Sequence, residues 1–146
     1  MFQSPIVLKI LLLSSLLLTS FTTTAEQLKT YANLEVHYIA IPSTFIQPNI
    51  AKQYGIQRSS HNGLLNISVL DKRKDKASVA ATLSGTGRNL LGQTHRLTFT
   101  EVKEGKAIYY LAEYPYTNEE IVNFNINIKT EKKSNTLKFQ HKFYVD

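Results

Sequence analysis

The chain has 146 residues, with 17 basic against 11 acidic side chains, a formal charge of +6, and neither cysteine nor tryptophan. That length suits one domain with a buried core. The missing cysteine excludes disulfides, thiol enzymes, Cys-ligated zinc, iron–sulfur clusters and an acylated lipoprotein, and the missing tryptophan weakens any case for sugar stacking.

The first segment reads as a leader. Lys9 supplies a positive charge, Ile10 to Leu18 form a short apolar run, and Thr22-Thr23-Thr24-Ala25 form a small, polar tail. That order is the charged, apolar and cleavage region of a secretory signal peptide. Thr23 and Ala25 fit the small pockets of a signal peptidase, so cleavage is expected before Glu26. A spanning helix needs about 20 apolar residues. This run is shorter and holds Ser14 and Ser15, so no stable membrane anchor is expected after cleavage. Residues 26–146 are then expected to form a single domain. Of the 17 basic residues only Lys9 is lost and all 11 acidic residues remain, so sixteen against eleven leaves +5. The basic residues are scattered in sequence apart from Lys72-Arg73-Lys74 and Lys132-Lys133, both at expected turns. Such a charge balance favours either an acidic partner or an anionic membrane face, or is simply a solvated surface, which the scatter supports, and no nucleic-acid partner is expected.

Strand patterns fill the rest. Leu34 to Ile41, Ser78 to Leu83, Arg96 to Thr100, Val122 to Ile128 and Leu137 to Val145 alternate apolar and polar residues. Leu64 to Leu70 and Ala107 to Tyr114 are rich in apolar or aromatic residues. Period-two alternation means one buried and one wet face. Turns are expected at Lys72–Lys76, Gly85-Thr86-Gly87, Lys103–Lys106 and Glu131–Asn135, the last joining the final two strands as a hairpin. The expected fold is an immunoglobulin-like antiparallel β-sandwich of about seven strands. Phe124 and Phe139 lie on facing strands and are both expected in the core.

The connection Ser43 to Gly63 lacks alternation. Pro48 is placed to open a short helix and Gly55 to stop it. Two uses fit so long a connection: a plug for one open end of the sandwich, or a binding loop.

No local motif carries chemistry. The histidines His37, His61, His95 and His141 are too far apart in sequence for a metal motif, and no metal or cofactor is expected. His141 falls on an apolar strand face and is expected as a hydrogen-bonded core residue. Gly85-Thr86-Gly87-Arg88-Asn89-Leu90 lacks the final glycine and the βαβ setting of a dinucleotide loop. There is no nucleophile elbow, and Glu113, Glu119 and Glu120 form no clear acid–base pair, so no catalytic residue is assigned. Tyr109, Tyr110, Tyr114 and Tyr116 cluster around Glu113 and Pro115, either as sheet-covering residues or as an interface.

Several stretches taken together carry a resemblance. They include Tyr38-Ile39-Ala40, Ser43-Thr44-Phe45, Tyr54-Gly55-Ile56, Arg58-Ser59 and Gly63 to Leu70. Further along are Gly87-Arg88-Asn89-Leu90-Leu91-Gly92-Gln93, Ile108 to Pro115 and the terminal Phe143-Tyr144-Val145-Asp146. The chain resembles a family of small exported proteins of Gram-negative proteobacteria known as a domain of unknown function. The resemblance covers residues 26–146. It implies an all-β domain and a periplasmic location, and it carries over no activity and no residue role.

The leading expectation is a non-catalytic periplasmic module that binds a protein or another envelope component. The candidate binding residues are Ser43, Thr44, Phe45, Tyr54, Arg58, Arg88, Asn89, Tyr110 and Tyr114, combining the long loop, the Arg88 turn and the tyrosine cluster. Arg88 has two readings: a recognition residue, or a structural one that bonds carbonyls of the long loop. The runner-up function is a hydrolase-like or metal-dependent envelope enzyme, which two or more histidines grouped around a carboxylate would favour.

Overall fold

The structure, a computed structural model, describes residues 26–146. The expected leader and its cleavage point before Glu26 involve residues outside that range. Ten strands form two antiparallel sheets. The strands are β1 (Gln27–Tyr31), β2 (Leu34–Pro42), β3 (Asn62–Asp71), β4 (Ala77–Ser78), β5 (Thr82–Asn89), β6 (Thr94–Leu97), β7 (Thr100–Glu104), β8 (Ala107–Pro115), β9 (Glu120–Lys129) and β10 (Ser134–Phe143). One sheet runs β1-β2-β3-β8-β7, with β4 also on β3; the other runs β10-β9-β5-β6. Both sheets have free edges, so the architecture is the expected all-β sandwich rather than a barrel.

The core lies between the sheets. One sheet contributes Val36, Leu65, Ile67, Val69, Tyr110 and Tyr114, and the other contributes Val122, Phe124, Ile126, Ile128, Leu137 and Phe143. The best alternating strands behave as expected: Val122, Phe124, Ile126 and Ile128 are all buried, and the intervening asparagines are exposed. β9 and β10 pair along their whole length from Glu120↔Phe143 to Lys129↔Ser134, forming the expected hairpin.

Four details differ from the sequence reading. Ten strands replace about seven, because β1, β4 and a separate β7 have short or weakly alternating sequences. β1 reads QLKTY, is exposed over four of its five residues, and is held by pairing with β2. Gly85-Thr86-Gly87 is not a turn but the middle of β5. Its glycines make room for neighbours: a Cβ on Gly87 would lie 2.4 Å from the Tyr114 ring. Phe139 is half-buried rather than a core residue, tilted over Tyr38 at 4.6 Å and Phe124 at 5.1 Å. His141 is also half-buried, with its ring edge-on to Phe143 at 4.5 Å.

The helix α1 (Pro48–Tyr54) begins on Pro48 and stops at Gly55, whose φ of 67° is left-handed. That conformation costs glycine least. α1 is not a plug for the open end. Tyr54 reaches Glu104 on β7, and the Gln57 amide donates to Glu113 on β8 at 2.7 Å. The segment therefore folds over the outer face of the β3-β8-β7 region. Ala51 on α1, Leu64 and Val102 are buried apolar residues outside the main core. One outer face is thus partly covered by the chain itself. Among the described residues the outer face of β10-β9-β5-β6 has no such cover.

Candidate interaction surface

The connection between β2 and β3 is tightly held. Ser43, fully buried, accepts from the Ser59 amide at 2.9 Å, donates to the Gln57 carbonyl at 2.8 Å, and has the Ser59 carbonyl 3.1 Å away. Arg58 donates through Nε to the Ile46 carbonyl at 2.8 Å and through Nη2 to the Thr44 carbonyl at 3.2 Å. Glu113 accepts from both the Gln57 amide and the Asn62 side chain at 2.7 Å. The Tyr54 hydroxyl donates to Glu104; that carboxylate, with some desolvation, holds the phenol above its ordinary range. The loop-closing role considered for Arg88 therefore belongs to Arg58. Phe45 projects beside this network, 60% exposed.

A second network shapes the β5–β6 turn. Asn89 is buried. Its side-chain amide donates to Gln93 at 2.7 Å and Glu120 at 2.9 Å, and its carbonyl oxygen accepts from the Gln93 amide at 2.9 Å. Gly92, with φ of 83°, completes the turn. The result is a braced tip carrying two exposed residues, Leu90 and Leu91.

Four sequence-predicted site residues, Ser43, Asn89, Tyr110 and Tyr114, are buried, and Arg88 differs only in position. Tyr110 and Tyr114 are buried, so neither can form a contact surface. The Tyr110 hydroxyl accepts from the Ala81 amide at 2.7 Å. Tyr114 lies edge-on to His95 and Phe124 and parallel to Phe143, and its hydroxyl has no partner. Desolvation, then the nearby Glu120, push that phenol up to about 12. Both rings point inward because Tyr110, Ala112 and Tyr114 share the core face of β8. Arg88 lies on the outward face of β5 rather than in a turn. Ser43 and Asn89 are buried scaffold residues, Arg58 is spent on the loop, Thr44 and Tyr54 are half-buried, and Phe45 and Arg88 are exposed.

The feature that sequence reasoning missed is the outward face of β10-β9-β5-β6. A shallow groove of about 590 Å³ crosses it, lined by Arg88, Lys138 and polar residues such as Thr86, Asn125 and Gln140, with Phe124 and Phe139 also contributing. Residues distant in sequence meet there by register: Arg96 beside Thr86, Thr86 beside Asn125, and Asn125 beside Lys138. Basic residues that look scattered along the chain thus collect on one surface. The available signal was the polar half of each alternating strand, which contains Asn, Thr, Ser, Gln, Arg and Lys but no carboxylate.

The histidines do not converge. His37 lies 3.3 Å from Glu35 and 3.7 Å from Glu26 through different ring nitrogens. Desolvation raises the Glu35 carboxyl, but bonds to His37 and Lys76 outweigh it and leave the group below its usual range. His61 Nδ1 lies 3.2 Å from the Tyr116 carbonyl. Among the described residues no group of three or more His, Cys, Asp or Glu is placed to hold a metal ion.

The family model for a domain of unknown function, DUF4426, matches residues 28–146. The chain belongs to the DUF4426 family. A crystal structure of a DUF4426 protein from Pseudomonas aeruginosa PAO1 superposes with a TM-score of 0.74 at 33% identity, covering 83% of this chain and 96% of that one. FetP of uropathogenic Escherichia coli strain F11, expressed in the periplasm for its structure, gives a TM-score of 0.60 at 13% identity over 82% of this chain and 94% of FetP. A copper-bound variant of FetP gives 0.60 and 13% over 84% and 92%. At that identity the likeness to FetP is one of fold. Comparison with curated proteins finds no match. The DUF4426 match spans both sheets and the β2–β3 connection.

Proposed function

We propose that this DUF4426 protein is a non-catalytic, exported binding module of the periplasm. Its contact surface is the outward face of β10-β9-β5-β6. One observation carries the reading. The chain folds its own helix and long connection over one sheet, while the other keeps a broad polar face and a groove of about 590 Å³ open to solvent. A sheet face without a cover is available for a partner at no cost in refolding. The order of charged, apolar and small residues before Glu26 supports export. Among the described residues no helix is long and apolar enough to cross a membrane.

Copper belongs to FetP by name and is not carried over. The described residues supply no convergent donor set, and imidazole or carboxylate ligands must meet at one point to bind a transition metal. The enzyme reading gains no support from the site either. The four histidines sit apart, each against its own neighbours: His37 by Glu35, His61 by the Tyr116 carbonyl, His95 by Tyr114 and His141 by Phe143. A photo-reactive residue in place of Asn125, in cells exporting the protein, tests the proposal. It should crosslink a discrete envelope component, and crosslinking only from the α1 side would overturn it.

A further inference from the structure

Alternation in the four strands of the open sheet sorts their residues cleanly. The outward positions carry Arg88, Arg96, Lys129, Lys138 and Lys142 together with Asn123, Asn125, Asn127 and Gln140. The remaining outward residues are serines and threonines, apart from half-buried Ile121. Glu120 is the only acidic residue in these strands, and its carboxylate is taken by Asn89 and the Thr117 amide. Glu119, in the preceding turn, stands 3.7 Å from Lys142. Among the described residues Arg88, Arg96, Lys129 and Lys138 enter no ion pair. Such a single-sign surface attracts polyanions.

Resting on the binding-module reading above, we propose that this face binds a linear polysaccharide bearing carboxylate groups. The cations are spread rather than clustered. Arg96 and Lys138 are three strands apart in one register row, about 14 Å at the usual strand spacing, and Arg88 lies one row away, about 7 Å along its strand. A chain molecule with repeated charges spans such an array; a single small anion does not. Between the cations lie amides and hydroxyls, which both donate and accept. Two of them are already fixed by neighbours: Gln140 donates to Asn123 at 3.0 Å, and Ser134 to Asn127 at 2.8 Å. That mixture matches a hydroxyl-rich polymer with carboxylates, which the guanidinium forks of Arg88 and Arg96 grip in a planar geometry.

Other polyanions fit less well. Protein partners draw most of their binding energy from buried aromatic and apolar anchors; the aromatic residues of this groove, Phe124 and Phe139, are buried or half-buried, and the exposed side chains around it are polar or basic. Membrane-surface binding needs apolar side chains across the contact; on the four strands Ile121 is the sole apolar outward residue, and the exposed Leu90 and Leu91 sit at the β5–β6 tip. Single-stranded nucleic acid needs aromatic platforms, and none faces outward here. Contact with the glycan is through charge and hydrogen bonds instead of ring stacking.

The test uses protein beginning at Glu26 and oligogalacturonate of defined length, read by backbone amide NMR. The expected result is saturable shifts centred on Thr86, Asn123 and Asn125, weakening as salt rises. Affinity should fall about tenfold or more in Arg88→Gln/Arg96→Gln/Lys138→Gln, whose melting stays normal. A neutral oligosaccharide of equal length should not bind. Equal binding of poly-glutamate would overturn the glycan assignment in favour of an acidic peptide. Binding of phosphatidylglycerol vesicles instead would assign the face to a lipid surface. No binding of oligogalacturonate would also overturn it, while leaving the binding-module reading intact if crosslinking from position 125 persists. Shifts confined to the α1 side would overturn both.

Discussion

Gly87 and Tyr114 share one volume across the core: a Cβ on Gly87 would stand 2.4 Å from Tyr114 Cε2 and 2.9 Å from the Phe124 ring. Neither ring is at the flexible end of a long side chain, and both are buried. Gly87→Ala is therefore expected to destabilise the fold by about 1–3 kcal/mol, the usual range for overpacking a well-filled core. Denaturant unfolding measures it, and an unchanged midpoint would mean that the two sheets sit farther apart than described.

Tyr114 also carries a buried hydroxyl without a partner. Removing an unpaired polar group from a core is neutral or favourable, because its desolvation cost of about 1–3 kcal/mol disappears with it. Tyr114→Phe should keep or raise the melting temperature. A clear fall would reveal a hydrogen bond from the hydroxyl to water or to a neighbour.

Ser43 ties two points of the long connection to the end of β2. Ser43→Ala leaves the half-buried Ser59 amide without its acceptor, a loss of about 1 kcal/mol. The loss should also appear as faster proteolysis within residues 43–61, with Arg58→Ala acting the same way. Arg88→Ala should differ from both. An exposed substitution away from such networks usually stays within about 0.5 kcal/mol, so its melting and protease pattern should match the parent protein. Loosening of the β2–β3 connection in Arg88→Ala would return a structural role to that residue.

The parts of the fold that strict alternation writes were readable in advance: β2, β9, β10 and the hairpin joining the last two. The β5 stretch was not, because Gly85 and Gly87 signal a turn locally. Their reason for being there, the packed Tyr114 ring and the β9 backbone, comes from strands far along the chain. The same holds for Tyr110 and Tyr114, which resemble interface residues in sequence and become core once β8 is placed beneath the second sheet. Arg58 and Ser43 were marked as loop residues of interest, but their work is closing the loop. The open basic face needed register, since Arg88, Arg96 and Lys138 become neighbours only through β9.

His141 gives the fold a pH dependence. Desolvation lowers its pKa in the folded chain, whereas the unfolded chain keeps an ordinary value near about 6.5. The unfolded state therefore binds a proton first as pH falls. The stability held above the unfolded pKa declines through that value and stops declining once folded His141 titrates. His141→Leu should flatten the stability-against-pH curve in this mildly acid window. Asp71 acts at lower pH. Its hydrogen bonds from the Arg73 side chain at 3.2 and 3.0 Å and from the Arg73 amide at 2.9 Å hold the carboxyl below its usual range. Its contribution is present above the ordinary carboxylate pKa and disappears as pH falls through the folded one. Asp71→Asn should be less stable than the parent protein at neutral pH and converge with it in acid.

The uncovered face of β10-β9-β5-β6 is proposed as the working surface. The most direct measurement places one photo-reactive residue at a time in living cells, at Asn125 on that face and at Lys52 on α1, and compares the captured species. A discrete adduct is expected from position 125, reduced when Arg88, Arg96 and Lys138 are all changed to Gln, and none from position 52. A discrete adduct from position 52 with nothing from position 125 would contradict it.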